Sequence, residues 1–217
     1  MLAGSVFLII SPQKWNTRET SKHHYAKELA KYGIVYFLNP PKYSFLKQGF
    51  RIDEIQKNLK IIDNILSIPS WCKFKLPFVF NAVCKQSIKR VIKEIGQINF
   101  LWNFDNATYF QWPDLFIDSV KVFHPVDAFK RNLKYEKYDF GFSVSQEILD
   151  KIPLKSKAFI NHGLQEFSEN IVTPKRSDDG IRATYLGNLS IRFLDTKVLK
   201  EVIMEHPNIE FLFIGDY

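Results

Sequence analysis

The sequence predicts an α/β protein, with one doubly wound, mostly parallel sheet followed by the first βαβ unit of a second such domain. Three observations predict it. Short apolar runs alternate with helical patterns from the N-terminus to about Ile160. The first run, Gly4–Ile10, is apolar without alternation, as expected of a central parallel strand buried on both faces. Near the C-terminus, Ala183–Asp195 and Ile209–Ile214 read as strand, Gly-containing turn, helix and strand, a unit whose crossover should be right-handed. Its turn offers backbone N–H groups to a phosphate at a helix N-terminus.

Composition narrows the class. The chain has 217 residues, of which 46% are apolar, with 20 Phe and 9 Tyr, so a packed core is expected rather than disorder. Net charge is +7 and the isoelectric point is about 9.2. That balance suits an anionic partner: nucleotide-sugar phosphates, lipid phosphates, an anionic membrane face or nucleic acid. The competing explanation is a plain surface excess of Lys. Cys72 and Cys84 are the only cysteines; they form neither a metal motif nor a disulfide framework. They read as reduced packing residues of a cytosolic protein. Met1–Ser11 has no basic segment before its apolar run and no cleavage site, and is too short to span a bilayer, so it reads as a buried strand.

The elements follow in order. After the first strand comes a polar loop, Ser11–Thr20, and a helix over Ser21–Tyr32, with Tyr25, Leu29 and Tyr32 at helical spacing and Ala26 and Ala30 permitting close approach to a sheet. Gly33 fits a helix C-cap. Ile34–Leu38 is the second strand, stopped by Pro40 and Pro41. Lys57–Ile62 fits a strand within a hairpin, and Ile65–Pro69 a strand or loop. Trp71–Phe80 is aromatic and basic. Asn81–Gly96 is a helix with Val83, Ile88, Val91, Ile92 and Ile95 inward, and Ile98–Trp102 is a strand. A short helix interrupted at Pro113 is expected over Tyr109–Phe116. Strands follow at Ser119–Phe123, Tyr138–Ser143 and Lys157–Ile160, with a helix from Ser145, its N-cap, to Lys151. The division this implies is a first domain over 1–164, a polar linker over 165–180, and an incomplete second domain over 181–217.

Ligands of such sheets bind beyond the carboxyl ends of the strands. Four clusters lie there. The loop after strand one carries Lys14, Trp15, Arg18, His23 and His24: cations for an anion, and a flat indole face for a sugar ring or base. His23 and His24 are adjacent, so their side chains diverge around the helix and share no metal. Trp102–Asn106 offers Asp105 and Asn106, either of which could instead cap a helix. His124–Asp127 places an Asp just beyond a strand, where it can serve as general base toward a hydroxyl or simply as a turn residue. Asn161, His162 and Gly163 form a fourth turn.

Together these segments resemble the GT-B glycosyltransferases, in particular the retaining bacterial family-four group that builds capsule and exopolysaccharide. Trp15–Arg18 with His24–Gly33 looks like that family's acceptor loop and first helix. Val122–Phe129 is similar to its aromatic–Asp segment, Asp139–Ser145 to its strand and cap, and Phe159–Gly163 to the turn closing the first domain. Tyr185–Leu189 with His206–Gly215 looks like the opening of the nucleotide-sugar domain. The first-strand loop lacks the paired glycines many members have.

The resemblance implies two Rossmann-like domains and metal-independent transfer of a sugar, with a nucleotide sugar as co-substrate and no other cofactor. It implies Asp127 as base or acceptor-orienting residue, Trp15, Arg18 and His24 as acceptor contacts, and His162, Gly163, Gly187, Asn188 and Arg192 on the donor side. The acceptor would be a saccharide or lipid-linked, and the location the cytoplasm, with peripheral contact at the anionic inner face of the cell membrane. With the second domain incomplete, donor binding by this polypeptide is expected to be weak. The alternative is a non-catalytic module that holds an acceptor or pairs with another subunit. Nucleic acid is not an expected partner, because the basic residues are scattered without a recognised motif. No G-x-G-x-x-G follows a strand, which argues against a dinucleotide-dependent oxidoreductase.

Overall fold

A computed structural model describes residues 2–45, 49–105, 112–128, 135–161, 180–191 and 194–215. The chain divides into two compact units, Met1–Gln165 and Glu166–Tyr217. The strands of the first are β1 (Val6–Ile10), β2 (Ile34–Leu38), β3 (Lys42–Tyr43), β4 (Gly49–Gln56), β5 (Leu59–Leu66), β6 (Phe100–Asn103), β7 (Val120–Phe123), β8 (Phe140–Ser143) and β9 (Lys157–Phe159). Its helices are α1 (Ser21–Leu29), α2 (Cys72–Lys75), α3 (Pro77–Ile95) and α4 (Gln146–Asp150). The strands form one nine-stranded sheet in the order β3-β5-β2-β1-β6-β7-β8-β9, with β4 on the free edge of β5. Every pairing is parallel except β4 with β5.

The predicted α/β class and mostly parallel sheet are therefore present. β1 lies at the centre, between β2 and β6, and its side chains alternate between two cores. Leu8 and Ile10 join Phe80, Cys84, Ile88 and Val91 of α3. Phe7 and Ile9 join Ala26 and Leu29 of α1, Ala30 just beyond it, and Phe37 of β2. Phe7, Leu8, Ile9 and Ile10 are all fully buried, and each such side chain contributes about 1.5–3 kcal/mol. The α3 residues recur at helical spacing, so one stripe faces the sheet. Cys72 and Cys84 are free thiols buried in this core, and burial pushes the Cys84 thiol up to about 12.

Three local readings change. The helix expected from Asn81 begins at Pro77, because Pro at a first helical position has the φ the helix needs and no N–H to leave unpaired. The hairpin expected at Lys57–Ile62 is present: β5 begins at Leu59, and Lys57 and Asn58 link it to β4, with Asn58 in the left-handed region that Asn tolerates. Gly33 is not the C-cap of α1; Ala30 is. Gly33 is glycine because a Cβ there would stand 2.0 Å from the Ser5 carbonyl oxygen. That carbonyl accepts the Ile34 N–H at 2.9 Å, a bond at the start of the β1–β2 pairing. The short helix expected over Tyr109–Phe116 falls partly outside the described residues; a 3-10 turn occupies Pro113–Leu115.

The second unit contains β10 (Ile181–Leu186), α5 (Thr196–Glu205) and β11 (Ile209–Ile214), with β10 and β11 parallel and in register. The predicted βαβ unit is thus formed. Gly215 backs onto Gly187 so closely that a Cβ would lie 1.7 Å from the Gly187 carbonyl oxygen. The expected linker over 165–180 lies outside the described residues, apart from Gly180.

Substituting Gly33 by Ala should destabilise the first unit by about 1–3 kcal/mol, as overpacking does. Urea unfolding of the variant against the parent chain measures this; an unchanged midpoint would refute the close approach.

Candidate functional site

The strands of the first unit end in polar residues that remain inside the protein. Ser11, Asn39, Asn103, Asp105, His124 and Ser143 directly follow or end β1, β2, β6, β7 and β8, and all are buried. Most have a structural bond. The Ser11 hydroxyl donates to the Gln13 carbonyl at 2.7 Å. Asn39 accepts the Trp15 N–H at 2.8 Å and donates to Asp63 at 2.9 Å. Asn103 accepts the Asp105 N–H at 2.9 Å and donates to the Tyr138 hydroxyl at 2.8 Å. The Ser143 hydroxyl donates to the Pro125 carbonyl at 2.9 Å. Buried polar groups must be satisfied in this way, and the bonds make a rigid rim.

A cleft of about 180 Å³ opens in that rim. Ser11 and Pro12 enter it from the end of β1, Pro40 and Pro41 from the end of β2, and Asp105 from the end of β6; Tyr43 and Lys73 complete the wall. Beyond β1 the chain proceeds through α1 to β2 on one side, and beyond β6 it proceeds to β7 on the other. The cleft therefore sits at the topological switch point, where open α/β sheets bind ligands. Its chemistry is a buried carboxylate, an ammonium and a phenol. Burial, with the Asp105 carboxylate nearby, pushes the Tyr43 phenol up, so it stays protonated at neutral pH and can donate a hydrogen bond.

A second polar group lies beside α1. Lys22 is buried. Burial pulls its ammonium down, and the carboxylate of Asp127 holds it up in part. Asp127 itself is exposed. The arrangement sets a general-base candidate beside a desolvated cation.

The sequence-predicted residues separate on the structure. Trp15 is half-buried, and its ring is packed against His23 and Phe37 with centroids 4.9 and 5.0 Å away. It serves the α1-side core as well as any ligand. Arg18 is exposed and His24 half-buried. His23 is no surface residue: it is fully buried. Its Nδ1 accepts the Thr20 N–H at 3.1 Å, completing the start of α1. The neutral ring then carries its proton on Nε2, and that atom has no hydrogen-bond partner among the described residues. His124 accepts the Trp102 indole N–H on Nδ1 at 3.2 Å and stacks on Phe104. Among the described residues no group of His, Cys, Asp and Glu could hold a metal ion.

On the donor side, His162, Gly163 and Arg192 lie outside the described residues, as does Asn106. Gly187 donates its N–H to the Ile214 carbonyl at 2.9 Å. Asn188 accepts the Ser190 N–H at 2.8 Å, closing its own turn. The phosphate site expected at the helix N-terminus is filled by the protein: α5 begins at Thr196, and the Asp195 carboxylate accepts the N–H groups of Lys197 and Val198 at 3.0 and 3.1 Å.

Sequence reasoning missed Lys22, Tyr43 and Lys73. Tyr43 and Lys73 both line the cleft: β3, after Pro40–Pro41, pairs with the end of β5, and α2 is the next element after β5. A diproline immediately after a strand end was the available signal. A scan against protein-family models finds no match, and neither does a search of curated proteins.

Burial pushes the His23 imidazole below its usual range, against the opposing pull of the Lys14 and Trp15 backbone. Below about pH 6.5 the unfolded chain therefore takes up a proton that the folded chain resists, and stability falls with pH. His23→Gln keeps an acceptor for the Thr20 N–H, as Gln does in a capping box, but removes the titration. Urea unfolding at pH 8 and pH 5.5, conditions that bracket an ordinary His at about 6.5, should show a smaller stability loss in the variant than in the parent chain.

Proposed function

We propose that the protein is a glycosyltransferase, or part of one, in cell-surface polysaccharide synthesis, and that its first unit holds the acceptor. The observation that carries this reading is the switch-point cleft, with the Asp105 carboxylate, the Lys73 ammonium and the Tyr43 phenol on its walls. A carboxylate and an ammonium accept from and donate to sugar hydroxyls, and an aromatic ring covers a sugar face. In the transfer, the acceptor hydroxyl oxygen bonds to the anomeric carbon. The bond from that carbon to the diphosphate breaks, the nucleoside diphosphate leaves, and Asp127 takes the hydroxyl proton. The buried Lys22 ammonium lies beside that carboxylate. Donor contacts are assigned to Gly187 and Asn188, with His162, Gly163 and Arg192.

A second reading is a non-catalytic module that holds an acceptor or pairs with another subunit. The occupied N-terminus of α5, with Asp195 where a donor phosphate would lie, favours it.

Saturation-transfer NMR with a panel of mono- and disaccharides, and transfer assays with nucleotide sugars, test both readings. Asp105→Asn should weaken saccharide binding by roughly tenfold or more, as loss of a charge-assisted hydrogen bond does. Asp127→Asn should lower transfer by about 10²–10⁴ while leaving saccharide binding in place. Saccharide binding without transfer selects the non-catalytic module. Absence of both refutes the glycosyltransferase reading.

A further inference from the structure

We propose that the ridge formed by α2 and the first turn of α3 docks the protein on an anionic lipid surface. Trp71, Phe74 and Phe78 are 49%, 82% and 86% exposed. The ridge is nonetheless firmly held. Cys72, Phe80 and Cys84 lie in the core beneath it. Leu76 donates its N–H to the Cys72 carbonyl at 2.9 Å, and Phe80 to the Leu76 carbonyl at 3.0 Å, carrying the backbone across Pro77. A fixed backbone thus presents one face to the core and large aromatics to the outside.

Charge identifies the occupant. From Asn64 to Lys93 the chain has no Asp or Glu, but it has Lys73, Lys75, Lys85, Lys89, Arg90 and Lys93. Lys75, Lys85, Lys89 and Lys93 are exposed. Aromatic rings settle at the headgroup level of a bilayer, and Lys stems lie along apolar surface while their ammonium groups reach the phosphates. Each Lys or Arg near an anionic membrane adds to the attraction, and salt screens it. A second copy docked through the same ridge would set these cations against their own kind, which argues against self-association. Lys73 also lines the switch-point cleft, so a docked ridge brings the cleft mouth to the lipid surface. The docking itself does not depend on the glycosyltransferase reading.

The test is co-sedimentation of the full chain with vesicles of phosphatidylcholine alone and of equal parts phosphatidylcholine and phosphatidylglycerol. The protein should sediment with the anionic vesicles, less so as salt rises, and with little of the zwitterionic ones. Phe74→Ser with Phe78→Ser should reduce anionic-vesicle partitioning by about tenfold or more, from the apolar transfer lost. Lys75→Glu with Lys85→Glu should do the same, from the charge reversal. All four positions are exposed, and circular dichroism checks that the fold is kept. For the parent chain, Trp fluorescence should shift to the blue on adding anionic vesicles, and Trp71→Phe should remove that shift. Equal partitioning into both vesicle types overturns the proposal, as do variants that partition like the parent. A ridge variant that changes the sedimentation coefficient without vesicles overturns it too, and marks the ridge as a protein–protein face. Failure here leaves saccharide binding in the cleft intact, so the two readings fall separately.

Discussion

Burial of β1 on both faces is the constraint from which the first unit follows. A strand covered by α1 on one side and α3 on the other can carry no polar side chain along its length. Phe7, Leu8, Ile9 and Ile10 accordingly exclude water completely. Polar chemistry is displaced to the point where the strand ends, at Ser11, and the same holds at Asn39, Asn103 and Ser143 on neighbouring strands. Each of these groups is still inside the protein and must be bonded, since an unmade bond there costs about 1–3 kcal/mol. The carboxyl edge is therefore a network of fixed bonds, and a cleft within it starts from preorganised walls.

The same burial links the cleft to the aromatic ridge. Leu8 and Ile10 require a long apolar cover, and α3 supplies it with Phe80, Cys84, Ile88 and Val91. For that stripe to begin at the carboxyl edge, the chain must arrive there from β5, which it does through α2. Lys73 is thereby set at the cleft while Phe74, one residue on, faces outward. A change in how α2 seats would alter both surfaces together.

Much of the first unit was legible because its signals are local. The unbroken apolar run of β1, the spacing within α3 and the Ser145 cap, which accepts the Ile148 N–H, all lie within one element. What was not legible depended on distance along the chain. Gly33 reads as a helix end, yet its reason is the Ser5 carbonyl, which the sheet brings against it. His23 and His24 read alike in the sequence, yet α1 turns His23 onto Trp15 and Phe37. Lys73 and Tyr43 are separated by the whole β4–β5 hairpin, and line one cleft only because β3 pairs with the end of β5. A loop rule that looks a few residues past each strand finds Asp105 and Asp127, and cannot find Lys73 in the same cleft or Lys22 near Asp127.

The second unit shows how a correct element can mislead about chemistry. A strand, a Gly turn and a helix were expected there and are present, and a helix N-terminus attracts anions. The attraction is about 0.3–1 kcal/mol at an exposed site. An N-cap such as Asp195 is itself worth about 0.5–2 kcal/mol, and its carboxylate already holds two of the N–H groups. A phosphate entering there would have to break those bonds or face a like charge, so the exchange is unfavourable at this helix end. Any grip on a donor diphosphate has to come from basic side chains and from the turn after β10, where Tyr185 donates to the Asn188 carbonyl at 3.2 Å and steadies the backbone. The helix in this βαβ unit connects its two parallel strands, and the selectivity for an anion belongs to the turn before it.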